Sequence, residues 1–219
     1  MSHVIWDWNG TLLDDLSAII EAVNEALCSQ GAQAIEPEQY RDHYTRPVKR
    51  FYERLLSRSL SDRDWAHLDE SFHDAYRSRM AAAPLAADAM QALAHVQALG
   101  ATQSLLSMLR HQELMRALEG RGVREFMLHV EGLTGTAGDG KARHLLRHVE
   151  LLCGARGDLT PADCLVIGDS LDDARAAAEV GLRCVLYDSG THHRHELERV
   201  GVPVADGLLQ ALAMAGIGQ

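Results

Sequence analysis

The sequence predicts an α/β protein built on a doubly wound parallel β-sheet, with an all-helical segment inserted after the first strand. From about residue 84 onward, short apolar runs alternate with helical patterns, which is typical of a parallel sheet with helices on both faces. The runs are apolar throughout, as expected for strands buried on both sides. Residues 36–83 hold helical patterns and no convincing strand. We therefore assign residues 1–13 and 84–219 to an α/β domain and residues 14–83 to a helical insert.

Hydrophobic spacing and helix-ending residues define the elements in order. A first strand at 4–6 precedes a helix at 16–27, with Asp14 or Asp15 as its candidate cap. The insert holds three further helices, predicted at 37–44, 47–56 and 62–79. In the remainder, strands are predicted at 104–107, 126–130, 164–167 and 184–186. The helices between them are predicted at 86–99, 112–118, 141–153 and 172–180.

Composition excludes several classes of function. The 219 residues carry a net charge of −10, which disfavours nucleic-acid binding, and Lys/Arg clusters that bind anionic membranes are absent from the sequence. The longest stretch without charged residues, 89–109, is too polar to span a membrane, and Asp7 interrupts any signal-peptide pattern. The four cysteines form no CxxC pair, which favours reduced thiols. We expect a cytoplasmic protein, either monomer or homodimer, without membrane or nucleic-acid partners.

Polar residues that could perform chemistry follow four of the predicted strands. Asp7 follows the first strand, Ser107 closes the second, Lys141 opens the helix after the third, and Asp169 and Asp173 follow the fourth. The carboxyl ends of parallel strands share one edge of a sheet, so these groups are expected to converge. Carboxylate oxygens are preferred ligands of Mg²⁺, which commonly also binds substrate phosphate. The pattern indicates a site for a metal ion and a phosphate.

Two of these segments carry a family resemblance. Residues 7–13, Asp-Trp-Asn-Gly-Thr-Leu-Leu, resemble the first motif of the haloacid dehalogenase-like (HAD) superfamily, Asp-x-Asp-Gly-Thr. Residues 168–173, Gly-Asp-Ser-Leu-Asp-Asp, resemble its fourth motif, Gly-Asp-x-x-x-Asp, while Ser107 and Lys141 fit the second and third. The resemblance implies a Rossmann-like fold with a small helical cap. Within the family, the sequence resembles the phosphatase branch, and in particular its phosphoglycolate phosphatase-like members.

The resemblance also implies roles for individual residues. Asp7 would be the nucleophile, forming an aspartyl-phosphate that water then hydrolyses. Mg²⁺ would be held by Asp7, the backbone carbonyl of Asn9 and Asp169, with Asp173 supporting this shell. Lys141 would stabilise charge on the phosphoryl group of a small phosphorylated metabolite.

Further residues are implied to bind the substrate. Ser107 and backbone N–H groups near Gly10 and Thr11 would hold the phosphoryl oxygens, with Ser104 as the competitor of Ser107. Met108 stands where the family often has Asn. The remaining substrate contacts would come from the cap, at Arg46 or Lys49.

Asn9 departs from the family pattern, because the phosphatases generally carry an Asp there that serves as general acid and base. An amide cannot exchange a proton near neutral pH, and such assistance is typically worth about 10²–10⁴-fold in rate. Three readings stay open: a substrate with a good leaving group, a slow enzyme, or a catalytically weak relative that binds a phosphorylated ligand or partner.

A P-loop nucleotide-binding protein is a remote alternative. Residues 135–141, Gly-Thr-Ala-Gly-Asp-Gly-Lys, match the spacing of that motif. The next residue is Ala142, however, where Ser or Thr would bind Mg²⁺. This reading also leaves the motif at Asp7 unexplained.

Overall fold

A computed structural model describes residues 2–134 and 140–218, which form two compact units. One unit comprises Met1–Asp14 and Leu85–Gln219, and the other comprises Asp15–Pro84. Most of the P-loop-like segment, residues 135–139, lies outside the described residues. Within the described part of the chain, no helix has the length and apolar character needed to cross a membrane.

The smaller unit is helical. Its four helices are α1 (Leu16–Ser29), α2 (Pro37–His43), α3 (Val48–Leu56) and α4 (Asp62–Met80). Their ends differ from the predicted ones by at most two residues. Its core combines aliphatic and aromatic side chains, and Tyr40 and Phe51 pack edge to face within it with ring centroids 5.4 Å apart. Asp15 precedes α1 as predicted for a cap, but its carboxylate accepts a hydrogen bond from the Tyr76 hydroxyl instead of capping the helix.

The larger unit is a parallel sheet with helices between its strands. The strands are β1 (His3–Trp6), β2 (Thr102–Arg110), β3 (Val130–Leu133), β4 (Cys164–Gly168), β5 (Arg183–Tyr187) and β6 (Val204–Ala205). The helices are α5 (Ala89–Ala98), α6 (His111–Leu118), α7 (Lys141–Ala155), α8 (Leu171–Val180), α9 (Arg194–Glu198) and α10 (Leu208–Met214). The strand order is β3-β2-β1-β4-β5-β6. This confirms the predicted doubly wound α/β fold.

The strand order creates one switch point, at β1. Trp6 pairs with Leu105 of β2 on one side and with Ile167 of β4 on the other, and both pairings are parallel. The chain after β1 and the chain after β4 therefore emerge next to each other at the same edge of the sheet. Ligands of open α/β sheets bind in the crevice at such a point.

The strand predicted at 126–130 is wrong. Arg124–Phe126 form a 3-10 turn, and β3 begins only at Val130. The buried side chains Val123, Met127 and Val130 are spaced by four and three residues, which is the period of a helical turn and not of a strand.

β2 extends beyond the predicted 104–107 at both ends, and its first two residues, Thr102 and Gln103, are polar. Gln103 is buried in this strand, where its amide accepts a hydrogen bond from Trp6 Nε1 (2.9 Å) and donates to the Leu93 carbonyl (2.9 Å). Buried polar groups with partners on both sides cost little, so the strand tolerates them. A search for apolar runs misses such a strand start.

Three C-terminal elements, α9, β6 and α10, have no predicted counterpart. The first two are only five and two residues long. α10 buries Leu208, Ala211 and Leu212, whose helical spacing is visible in the sequence. This helix could therefore have been predicted from the sequence.

His3 makes the fold sensitive to acid. Burial, together with the nearby His148 and Arg156, lowers the pKa of His3 from 6.5 to about 4. Between these values the unfolded chain binds the proton more readily, so the free energy of unfolding should fall as pH falls. We expect a loss of about 2 kcal/mol from His3 between pH 7 and pH 5, measured by urea unfolding in a chelating buffer. His3→Gln should lack this component; an equal loss in both proteins would contradict the assignment.

Candidate active site

The loop after β1 folds back over the sheet edge. The N–H groups of Thr11 and Leu13 both donate to the Trp8 carbonyl, at 3.2 and 2.9 Å. Gly10 adopts φ +73°, and a Cβ built there would lie 2.2 Å from Asp169 Oδ2. Only glycine therefore permits this loop to touch Asp169, because any side chain would collide with the carboxylate and strain the backbone.

Asp169 follows β4 and is held by hydroxyl groups. Thr11 Oγ1 donates to its Oδ1 (3.2 Å), while Ser189 Oγ and Thr191 Oγ1 donate to its Oδ2 (3.1 and 2.8 Å). The Asp7 N–H donates to the Ile167 carbonyl at 2.9 Å, which fixes the chain after β1 beside the chain after β4.

Asp173 lies in the first turn of α8 and is completely buried. Ser170 caps this helix: its Oγ accepts from the Asp173 N–H (3.3 Å), and Asp173 Oδ2 accepts from the Ser170 N–H (3.0 Å). A Cβ on Gly168 would lie 2.2 Å from Asp173 Cγ. The glycine at the end of β4 thus leaves room for the carboxylate to reach the sheet edge.

Lys141 opens α7 and joins two of the carboxylates. Its Nζ lies 2.7 Å from Asp7 Oδ1 and forms a second ion pair with Asp173 Oδ1. The side chain is only 11% exposed, so these ion pairs are largely shielded from water. Burial alone would lower the pKa of Lys141, but Asp173 and Asp7 raise it above its usual value, which keeps the ammonium charged.

The electrostatics of the cluster favour a cation. Burial, with the charge of Asp173, raises the pKa of Asp7 to about 7 despite the opposing effect of Lys141. Burial also acts to raise the pKa of Asp173, but Lys141 and the hydrogen bonds of Ser170 lower it overall. Burial is therefore the main reason that the pKa of Asp7 is raised, and a cation bound beside the carboxylates would lower it.

The residues present fit a divalent ion such as Mg²⁺. Oxygen atoms of Asp7, Asp169 and Asp173 lie within 4.8 Å of one another. The donor set consists of oxygen alone, which suits a hard cation. The close approach of the Gly10 backbone to Asp169 leaves a cradle that a Cβ would fill.

The other predicted site residues are placed less centrally. Ser107 is buried in β2, two residues beyond the partner of Trp6, and its Oγ accepts from the Leu109 N–H (3.1 Å). Met108 is half-buried next to it. Ser104, the competitor, is completely buried and bonded to two histidine rings, which leaves Ser107 as the better candidate.

The predicted substrate residues outside the sheet unit belong to the helical unit. Lys49 lies in α3 and forms an ion pair with Asp62 (2.9 Å), and Arg46 lies just before that helix. Asn9 is half-buried in the loop after β1, where it forms a bridge with Leu13. The Thr11 N–H donates to Trp8, so this group is used within the loop.

Sequence reasoning missed Ser189 and Thr191, whose hydroxyl groups donate to Asp169 Oδ2. Both follow β5, at the same edge of the sheet as the acidic residues. The rule that identified Asp7 and Asp169 would have found them had it been extended to this strand.

Gly10→Ala tests the close contact with Asp169. We expect it to disturb the acidic cluster, and with it any activity that depends on this cluster, and to lower the free energy of unfolding by more than the roughly 1–2 kcal/mol of a left-handed alanine. Gly100→Ala is the matched control, since Gly100 has φ +69° but no atom within 4 Å of its Cβ position. Activity assays and urea unfolding compare the pair. Equal losses in both variants would show that the contact does not matter.

Comparison with known proteins identifies relatives. At 25% identity, 199 residues align with a phosphoglycolate phosphatase from Synechococcus elongatus, covering 90% of this chain and 88% of that protein. A haloacid dehalogenase-like family hydrolase from Streptococcus pneumoniae superposes with a TM-score of 0.81 at 17% identity, over 97% of each chain. A protein described as a predicted phosphoglycolate phosphatase from Haemophilus somnus superposes with a TM-score of 0.77 at 16% identity, over 98% of each chain. The two structural likenesses show the fold.

The fold and the acidic cluster define an α/β enzyme of the hydrolase class. The family description "haloacid dehalogenase-like hydrolase" matches residues 1–181. The chain belongs to the haloacid dehalogenase-like hydrolases, as the motifs at Asp7 and Asp169 indicated. This membership accounts for the Asp7 motif, which the P-loop alternative leaves unexplained.

Proposed function

We propose that this chain is a Mg²⁺-dependent phosphatase that hydrolyses a small phosphorylated metabolite through an aspartyl-phosphate at Asp7. The observation that carries the proposal is the convergence of Asp7, Asp169, Asp173 and Lys141 at the switch point of the sheet. The relative named phosphoglycolate phosphatase supports a small phosphorylated substrate.

The chemistry takes two steps. First, the Asp7 carboxylate attacks phosphorus, so that a new oxygen–phosphorus bond forms while the bond to the leaving oxygen breaks. Then water attacks the same phosphorus and the bond to Asp7 breaks, which releases inorganic phosphate and regenerates the carboxylate. Lys141 holds Asp7 in position through their 2.7 Å ion pair. Its ammonium, the Ser107 hydroxyl and the backbone near Gly10 face the charge that develops on the phosphoryl oxygens.

Mg²⁺ would be held by Asp7, Asp169 and the backbone carbonyl of Asn9. When bound, the ion supplies positive charge opposite the phosphoryl oxygens. Asp173 orients Lys141, and the hydroxyls of Ser189 and Thr191 fix the Asp169 carboxylate.

We also propose that the helical unit is a cap and that Arg46 or Lys49 contacts the substrate. The support is the resemblance to capped members of the family and the cationic character of these side chains. A cap that excludes water would strengthen the electrostatic interactions inside the site.

Hydrolysis of p-nitrophenyl phosphate and acetyl phosphate, with and without Mg²⁺, tests the proposed function. We expect turnover that requires Mg²⁺ and is fastest with these good leaving groups, because Asn9 cannot protonate a leaving oxygen. Turnover that is undiminished in excess EDTA would contradict the metal-dependent mechanism.

The second candidate function is binding without efficient catalysis, and the amide at position 9 favours it. It predicts saturable binding of phosphorylated metabolites, measured by calorimetry in Mg²⁺, with no hydrolysis of either test substrate. Hydrolysis of the two test substrates therefore supports the phosphatase, and binding without hydrolysis supports the second function.

A further inference from the structure

A second cluster of metal-ligating side chains lies away from the acidic site, where the edge strand β3 meets α7. It consists of His129, Glu131 and His148, whose ligand atoms lie within 4.8 Å of one another. Glu131 Oε2 is 2.9 Å from His148 Nδ1 and 3.7 Å from His129 Nε2. We propose that these three atoms bind a divalent transition-metal ion of the zinc class. This inference does not rest on the proposed function.

The spacing and the donor types suit such an ion. Ligand atoms of a tetrahedral zinc site, each about 2.0–2.1 Å from the metal, are separated by about 3.3 Å. The two measured separations, 2.9 and 3.7 Å, bracket this value. Two imidazoles and one carboxylate are a donor set that binds zinc with the fourth position open.

Glu131 is held with one oxygen toward the histidines. Its other oxygen, Oε1, accepts from Arg147 Nε at 2.9 Å and from a second Arg147 N–H. Burial acts to raise the pKa of Glu131, but hydrogen bonds from His148 and Arg147 lower it to about 2, so the carboxylate is ionised. The charge of Arg147 opposes that of a metal, so we expect it to weaken metal binding.

A series of hydrogen bonds begins at His148 Nε2, the ring nitrogen that does not bind the metal. His148 Nε2 lies 2.8 Å from Ser104 Oγ, Ser104 Oγ lies 2.8 Å from His3 Nε2, and His3 Nδ1 lies 2.7 Å from Thr102 Oγ1. Histidine ligands of metals almost always donate their second ring N–H to an acceptor, and here the Ser104 hydroxyl can take that role.

This series of hydrogen bonds can form both with and without a bound ion. Without an ion, His148 Nδ1–H donates to Glu131. The Ser104 hydroxyl then donates to His148, His3 Nε2–H donates to Ser104, and the Thr102 hydroxyl donates to His3. With one, Nδ1 gives its lone pair to the metal, Nε2–H donates to Ser104, and every bond behind it reverses toward Thr102. A hydroxyl and a neutral imidazole each both donate and accept, so the reversal keeps the three hydrogen bonds from His148 to Thr102 and the number of protons along them, while the metal replaces the bond between His148 and Glu131.

Among the described residues, the cluster is exposed at His129. His148 is completely buried and Glu131 is 7% exposed, whereas the His129 side chain is 41% exposed. His129 and Glu131 also line a pocket of about 390 Å³. An ion can therefore enter past His129, and water can fill the fourth position.

The same residues do not form a serine nucleophile site. Ser104, His148 and Glu131 follow each other in hydrogen-bond order, as in a hydrolytic triad. Ser104 is completely buried, however, and its Oγ also contacts His3. In the described part of the chain, Ser104 is thus shielded from a substrate, and a nucleophilic role does not account for the arrangement.

The test is a Zn²⁺ titration of the chelator-treated full chain by calorimetry, in excess Mg²⁺ that competes at the acidic site. We expect one Zn²⁺ per chain and a loss of about 100-fold in affinity for His129→Gln, whose half-exposed side chain can be changed without disturbing that series of hydrogen bonds. His111→Gln is the matched control. His111 lines the same pocket, but its Nδ1 accepts from the Gly132 N–H (3.2 Å). The Zn²⁺ affinity of His111→Gln should therefore equal that of the native chain.

Thermal unfolding gives a second readout that does not depend on activity. Zn²⁺ should raise the unfolding temperature of the native chain and of His111→Gln, but not that of His129→Gln. Ser104→Ala, which keeps all three ligands, should weaken Zn²⁺ binding by about 10–100-fold. Failure of the native chain to bind Zn²⁺, or equal affinity of the native chain and His129→Gln, would overturn the proposal.

Discussion

Asp7→Asn is expected to reduce the turnover of any phosphorylated substrate by at least about 10⁴-fold, because it removes the nucleophile while keeping its shape. The folded chain should be no less stable than the native one. The raised pKa of Asp7 shows that the site favours a neutral group at this position. Steady-state kinetics and thermal unfolding of the same preparations measure both expectations.

Asp172→Asn is the matched control for this experiment. Asp172 is next to Asp173 in sequence, but it lies at the surface and pairs with Arg175 at 3.6 Å. The same isosteric change should leave turnover close to that of the native chain. Substantial activity in Asp7→Asn, measured against this control, would exclude Asp7 as the nucleophile.

Asn9→Asp is expected to increase turnover of alkyl phosphates by about 10²–10⁴-fold, because it restores a group that can protonate the leaving oxygen. The gain should be much smaller for p-nitrophenyl phosphate and acetyl phosphate, whose leaving groups need little protonation. Steady-state rates on one alkyl phosphate and one activated phosphate measure this difference.

Asn9→Ala separates proton transfer from simple loss of the amide. It also removes the amide but supplies no acid, so it should not accelerate alkyl phosphate hydrolysis. If the native chain already hydrolyses alkyl phosphates quickly and Asn9→Asp brings no gain, a missing acid does not limit the rate.

The centre of the candidate site was predictable because its determinants are local. Asp7 and Asp169 each directly follow a short apolar strand, and the rule for parallel sheets brings such residues to one edge. The glycines beside them, Gly10 and Gly168, have a reason that only the structure reveals. Each leaves room for a carboxylate, since a Cβ on Gly10 would lie 2.2 Å from an atom of the distant Asp169 and a Cβ on Gly168 would lie 2.2 Å from an atom of Asp173 in the next helix.

Helix α10, Ser189 and Thr191 could have been predicted from the sequence, but other parts that were missed depend on contacts between separate segments. β3 carries the buried Glu131, which reads as a surface residue until Arg147 and His148 are seen to satisfy it. Likewise, β1 begins at His3, whose partners lie about 100 residues away in β2. Polar residues of this kind contradict the apolar pattern of a buried strand, and only tertiary hydrogen bonds reconcile them.

Acid-quenched peptide mass spectrometry during turnover tests the central claim most directly. With acetyl phosphate and Mg²⁺, we expect a phosphorylated, hydroxylamine-sensitive peptide that contains Asp7 and is lost when Mg²⁺ is removed. Asp172→Asn should give the same peptide, and Asp7→Asn should give none. Steady hydrolysis with the phosphoryl group on another residue would contradict a covalent mechanism at Asp7.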